Sequence, residues 1–105
     1  MPISVEVVQT DGSPAQGISV RWDDGQFVVI VCPKGIIGCA AIDVEVMEEF
    51  DIAVAIAHGT PQDPLMVPAD LLPAKITGIS GKARKMGIRE GMTGREALTV
   101  LSQVV

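Results

Sequence analysis

Three side chains in this sequence are of types that do chemistry and stand where a fold could use them: Cys39, Asp43 and His58. A thiol near a helix N-terminus has its pKa lowered and becomes nucleophilic. Cys39 lies four residues before Asp43, itself a good helix cap. The plainer reading is structural, because cysteine is among the most buried residue types and Gly38 and Ala40 suit a close-packed strand. Cys32, at the end of an apolar run, reads as inert. His58 opens His58-Gly59-Thr60 directly after a buried strand, where sites on sheet scaffolds often lie, and Asp63 or Asp70 is available to orient its imidazole. No nucleophile stands at a recognisable spacing from it, so an ordinary loop histidine is the simpler assignment. Cys32, Cys39 and His58, with Asp43 or Asp63, form a metal-ligand set by type alone. Zinc sites are built from paired C-x2-C or H-x3–5-H elements, and the C-x6-C spacing here is neither. No metal and no cofactor is expected.

A second group is cationic. Residues 1–74 carry two bases against eleven acids, a net −9, whereas residues 75–105 carry six bases against two acids, a net +4. Lys82, Arg84, Lys85, Arg89 and Arg95 could steer anions, or nucleic acid, to that end of the chain. The turn Gly87-Ile88-Arg89-Glu90-Gly91 resembles a helix-hairpin-helix, but that element needs glycines two apart, and these are four apart. The total charge of −5 and the scarcity of aromatic side chains also argue against nucleic acid. A solvated helix surface is the simpler account.

These residues are positioned by elements the pattern makes legible. Ile3, Val5 and Val7 alternate with Ser4 and Glu6, as in a half-buried strand, and Ile18, Val20 and Trp22 alternate again after the turn Thr10–Pro14. Asp24-Gly25 supplies the two positive-φ positions of a type I′ hairpin, and Phe27–Cys32 returns as an apolar strand. After Pro33-Lys34-Gly35, residues Ile36–Ile42 form a fourth strand. Asp43 caps a short helix with Val44, Met47 and Phe50 on one face and Glu45, Glu48 and Glu49 toward solvent. Ile52–Ala57 is apolar on both faces, as in a strand covered on both sides. A βαβ crossover is therefore possible, although about nine connecting residues is short for one. His58–Pro68 holds three prolines and is irregular. Ala69–Leu72 forms a helical turn and Lys75–Thr77 a short strand. From Ile79 to Gln103 the chain reads as helix, glycine turn, helix. Gly87 ends the first helix, Gly91 and Gly94 permit the turn, and Thr93 with Glu96 forms a capping box. Met92 and Ala97 take the staple positions, and Ala97, Leu98, Leu101, Val104 and Val105 share the apolar face.

The whole is one α+β domain of 105 residues: an antiparallel meander, a strand-helix-strand unit and two C-terminal helices joined by a glycine turn. No stretch approaches the roughly 18 consecutive apolar residues of a membrane span. The N-terminal MPISVEVVQTDG shows no signal-peptide pattern, and two cysteines are too few for a disulfide scaffold, so a cytoplasmic protein is expected. With only 3% aromatic residues, the core must be aliphatic.

Two blocks, Gly38-Cys39-Ala40-Ala41-Ile42-Asp43 and Ala69-Asp70-Leu71-Leu72 running on to Ala83, Gly87-Ile88, Gly91-Met92 and Gly94-Arg95-Glu96-Ala97-Leu98, together resemble the YunC-like family, a domain of unknown function in bacteria and archaea. The resemblance runs from about Phe27 onward, and the N-terminal strands correspond in pattern only. The family's first block is Cys-Gly-Ala-Leu-Asp. Here Cys39 and Asp43 match, while Ala40 and Ile42 depart from it. Neither Cys32 nor His58 belongs to the pattern. The resemblance implies an α+β domain whose N-terminal strands serve tetramerisation, and it carries no activity. It agrees with the independent expectation that residues 1–32 form a β-rich region used in oligomerisation. The leading expectation is a homo-oligomeric binding or regulatory module, tetramer favoured, whose partner is itself and not a membrane. Two alternatives stand beside it. One is a small enzyme with a site around Cys39 and Asp43, joined by His58, at a subunit boundary. The other is an anion- or nucleic-acid-binding protein using the basic C-terminal helices.

Overall fold

The structure, a computed structural model, describes residues 3–103, so the assignment of Val104 and Val105 to a helix face lies outside the described residues. Six strands form one sheet in chain order: β1 (Ile3–Val8), β2 (Ala15–Trp22), β3 (Gly25–Cys32), β4 (Gly35–Cys39), β5 (Val54–Ala57) and β6 (Ile76–Ile79). Three helices accompany it: α1 (Val44–Glu49), α2 (Gly81–Lys85) and α3 (Gly94–Leu101). Neighbouring strands are antiparallel except β4 and β5, which run parallel on either side of α1.

That parallel pair resolves the crossover expected from sequence. The fourth strand ends at Cys39 rather than Ile42, because residues 40–42 turn with the Ile42 amide donating to the Cys39 carbonyl at 3.1 Å. The next strand begins at Val54 rather than Ile52. The connection therefore spans residues 40–53, long enough for a helical return. Asp43 caps α1 as expected, its carboxylate accepting from the Glu45 and Val46 amides at 2.9 and 3.3 Å. Phe50 is not part of the helix's packed face. It is the exposed C-cap, and Asp51 follows at φ 54°. The Ile52 amide donates to the Met47 carbonyl and the Asp51 amide to that of Glu48, a Schellman closure with aspartate in the left-handed position.

α2 closes the same way with the residue best suited to it. Gly87 sits at φ 104°, its amide donating to the Arg84 carbonyl, and the Ile88 amide donates to that of Ala83. Ala83 and Ile88 are both fully buried. In α3 the Thr93–Glu96 capping box forms in both directions, and Ala97, Leu98 and Leu101 enter the core beside Met92. Gly94 has a different role from the one expected. It is the first residue of α3, and a Cβ there would land on the Leu71 carbonyl oxygen. Its smallness lets the helix dock on the preceding loop, where Gly94 and Arg95 donate to the Ala74 and Leu72 carbonyls at 2.9 Å.

The hairpin between β2 and β3 also departs from expectation. Trp22 pairs with Gly25, so the two-residue loop is Asp23-Asp24, and neither Asp24 nor Gly25 has a positive φ. Gly25 is instead where the Trp22 ring comes close enough to leave no room for a Cβ.

The core lies on one face of the sheet. Val28, Ile30 and Cys32 of β3, Ile37 of β4, and Ala55 and Ala57 of β5 meet Leu71, Ile88 and the apolar side of α3. On the opposite face α1 covers only the β4–β6 end, with Ile42 over Gly38 and Val44 close to Gly78. The β1–β3 end of that face is open. The alternation in β1 and β2 is real, but its apolar side turns away from this chain's own core: Ile3, Val5, Val7 and Trp22 are 56, 61, 64 and 55% exposed. The small residues Ala15, Gly17 and Ser19 are the ones buried in β2. Period-2 patterning separates two faces without saying which of them meets the core.

Candidate functional site

His58 follows the last residue of β5 and is exposed at the rim of the sheet. Its Nδ1 is 2.6 Å from Thr77 Oγ1, so neither Asp63 nor Asp70 orients the imidazole. Asp70 is engaged elsewhere: its Oδ2 accepts from the Met66 and Val67 amides at 2.9 and 3.1 Å, shaping the Pro68–Leu71 turn. Thr77 reaches His58 through a bulge. Ile56 pairs with Gly78 and Ala57 with Ile76, which leaves Thr77 as the extra residue of β6. A bulge re-aims a side chain, and here it brings a hydroxyl to the histidine ring. This contact had no signal in the sequence, since the two residues are 19 apart and belong to strands whose pairing only the fold defines.

His58 and Thr77 share a recess of about 380 Å3 with Lys75, Asp63 and Asp70, against an apolar wall that includes Leu65 and Pro73. The loop closing it is ordered by its own hydrogen bonds. Thr60 and Asp63 exchange backbone bonds at 3.1 and 3.2 Å, and the Asp63 amide also donates to Thr60 Oγ1 at 3.0 Å. The other edge of the β6 end is sealed by Met92, whose carbonyl accepts from the Ile76 amide at 2.7 Å.

Cys39, at the carboxyl end of parallel β4, lines a separate recess of about 290 Å3 on the same loop, with Gln26, Thr60, Pro61, Pro64 and Leu65. The structure thus brings Cys39 and His58 to two sides of one loop. It does not bring Asp43 to either recess, since its carboxylate is taken up by the α1 cap. Cys32 is buried on the core face, and burial pushes its thiol up from 9.0 to about 11 despite a hydrogen bond with Ser102. Both cysteines are free. Among the described residues no group of three His, Cys, Asp or Glu side chains could hold a metal ion.

The basic residues do not converge on one site. Lys82 faces Asp51 at 3.9 Å and Arg84 pairs with Glu90 at 3.4 Å. Arg89 donates to the Arg84 and Ile88 carbonyls at 2.7 and 2.8 Å, capping the end of α2. Arg95 lies on α3 beside Thr10 and Asp11, and Lys85 is an exposed residue of the last turn of α2. Glu48, expected to face solvent only, accepts from the Gly81 amide at 2.6 Å and ties α1 to the start of α2. Glu96 is held below the usual carboxylate range by the Thr93 amide and hydroxyl, with a smaller contribution from Lys75.

Residues 38–101, from the end of β4 through α3, match a domain of unknown function, DUF1805. The chain belongs to the DUF1805 family. The matched span begins beside Cys39 and contains both recess-forming loops, while β1–β3 lie before it. The chain is also similar to the uncharacterised protein YunC of Bacillus subtilis (strain 168), 27% identical over 96 residues that cover 91% of this chain and 94% of that protein. The crystal structure of TA1206 from Thermoplasma acidophilum, a protein of unknown function, has the same fold. It superposes with a TM-score of 0.85 at 20% identity and covers 95% of this chain and 93% of that one. These relatives bring a fold and a family to the DUF1805 chain, and no chemistry. Among the described residues no helix is long and apolar enough to cross a membrane.

Proposed function

We propose that this DUF1805 chain is a homo-oligomeric binding or regulatory module, a tetramer, whose copies join through the open half of the sheet and leave the carboxyl ends of β4 and β5 free for a ligand. The observation that carries this reading is the open apolar face. Val5 pairs with Ile18 and Ile18 with Val29, and Ile3 pairs with Val20 and Val20 with Phe27, so the apolar side chains form a continuous three-strand surface. The most exposed of them, Ile3, Val5, Val7, Trp22 and Val31, present on the order of 500 Å2, at the upper end of what a lone monomer shows. With the partly covered residues between them, this approaches the roughly 800 Å2 that each partner commits to a stable interface.

A second copy of this chain is the occupant that fits. The face carries no charged residue across β1, β2 and β3; its polar member is Gln16. A chain of net charge −5 meets the least repulsion from its own copies through such a neutral surface. Facing copies about a two-fold axis also place the same strip of Val and Ile against itself. The second contact comes from β1, which pairs on one side only and has Glu6 as its single charge. Face pairing about one axis and edge pairing of β1 about another would close four chains. A reducing cytoplasm suits two free thiols.

Native mass spectrometry at micromolar protein tests the reading. A tetramer is expected, and Val5→Glu should break it into smaller species while leaving the far-ultraviolet circular dichroism unchanged, since Val5 supports no core of its own chain. A wild-type protein that is only monomeric would refute it.

A further inference from the structure

We infer that the His58–Thr77 recess takes a small zwitterion with an aliphatic body, of the class of a free aliphatic amino acid. The inference rests on the binding-module reading and names the ligand class of its site. The recess, at about 380 Å3, is within the range of small-molecule sites, and its walls combine three apolar residues with six polar or charged ones. It lies where β5 ends and a bulge in β6 has turned Thr77 toward His58, a device that proteins place beside functional sites.

The charges around it select the ligand. Lys75 supplies an ammonium that, among the described residues, makes no ion pair within 4 Å, although it lies near enough to Glu96 to help lower that carboxyl. The Asp63 carboxylate has no hydrogen-bond partner among the described residues, and Asp70 keeps Oδ1 beyond the two amides it holds through Oδ2. His58 is anchored through Nδ1, which leaves Nε2 as its other polar atom. A simple anion would be drawn to Lys75 and repelled by two carboxylates, and a simple cation would be held by the carboxylates but would leave the Lys75 ammonium unmatched beside it. A molecule carrying both signs as substituents of one carbon satisfies both sets, and Leu65, Pro73 and Ala74 offer apolar surface to an aliphatic side chain.

Isothermal titration of the full chain near neutral pH, with three probes of one shape, tests this. L-leucine carries both charges, 4-methylpentanoate lacks the amine and 3-methylbutylamine lacks the carboxylate. L-leucine should bind saturably, and each single-charge analogue at least about tenfold more weakly, the loss of one charge-assisted contact. Lys75→Met should weaken L-leucine to the level of the amine, with its fold verified by circular dichroism. Thr77→Val should weaken it too, by freeing the imidazole. Binding of either analogue as tightly as L-leucine overturns the proposal, as does the absence of L-leucine binding at about 10 mM, beyond the weak end of specific affinity. Native mass spectrometry of the same sample separates the two readings: a tetramer without L-leucine binding sinks the ligand class alone, and a monomer sinks the assembly.

Discussion

Cys32 offers a perturbation whose size follows from its surroundings. Its side chain lies at the end of β3 on the core face, 7% exposed, and burial lifts its thiol from 9.0 to about 11. The folded state therefore favours the neutral thiol. Because the folded pKa is the higher one, the stabilisation is complete below the unfolded value and is lost as pH rises from 9.0 toward 11. At about pH 10 the unfolded thiol is some nine-tenths ionised and the folded one about one-tenth, so the protein should have lost on the order of 1 kcal/mol relative to pH 7 from this group alone. Lysines titrate in the same range, so the quantity to read is a difference. Urea unfolding of the wild type and of Cys32→Ala at both pH values isolates it, because every other group is common to both proteins. The wild type should lose on the order of 1 kcal/mol more than the variant between the two conditions. Parallel losses, within the few tenths of a kcal/mol that separate independent effects, would show that the thiol is not desolvated as described. Alkylation gives the companion result: half-buried Cys39 should label well before Cys32 near neutral pH.

Three further substitutions test how the site is held. Ser80 is buried between β6 and α2, accepting from the Val54 amide at 3.0 Å and donating to the Ile52 carbonyl at 2.7 Å; Ser80→Ala should cost about 1–3 kcal/mol in urea unfolding by stranding both groups, and an unchanged midpoint would contradict that. Gly94→Ala forces a methyl onto the Leu71 carbonyl and should cost about 1–3 kcal/mol or more, exceeding Gly91→Ala, where open space surrounds a residue at φ 91° and the strain is about 1 kcal/mol; calorimetric Tm values that fall in the opposite order would refute the docking account.

The candidate site was half legible in the sequence. His58 could be placed at a strand end because Ile52–Ala57 is apolar throughout and the prolines after it forbid regular structure. Its partner could not be foreseen. Asp63 and Asp70 were the nearby carboxylates, but Asp70 is drawn into the turn its own neighbours form, and Thr77 reaches the ring only because β6 bulges where it pairs with β5. Asp43 shows the converse case. The same carboxylate that suggested chemistry beside Cys39 is the helix cap its spacing also announced, and it serves as the cap.

What the sequence by itself determined is what hydrogen bonds and sterics between near neighbours decide. The Thr93–Glu96 box, the Asp43 cap, the Gly87 closure and the period of each strand all act within a few residues, so their residue types suffice. Tertiary structure alone decided which side of β1–β3 meets the core, that β4 and β5 run parallel, and which loop approaches Gly94. Those outcomes depend on surfaces far apart in the chain competing for burial. The small residues Ala15, Gly17 and Ser19 allow close approach on one face, Pro68 lying against Gly17, and so the larger Val and Ile side chains are left outward. An alternation that looked like half of a core is in place an exposed apolar surface.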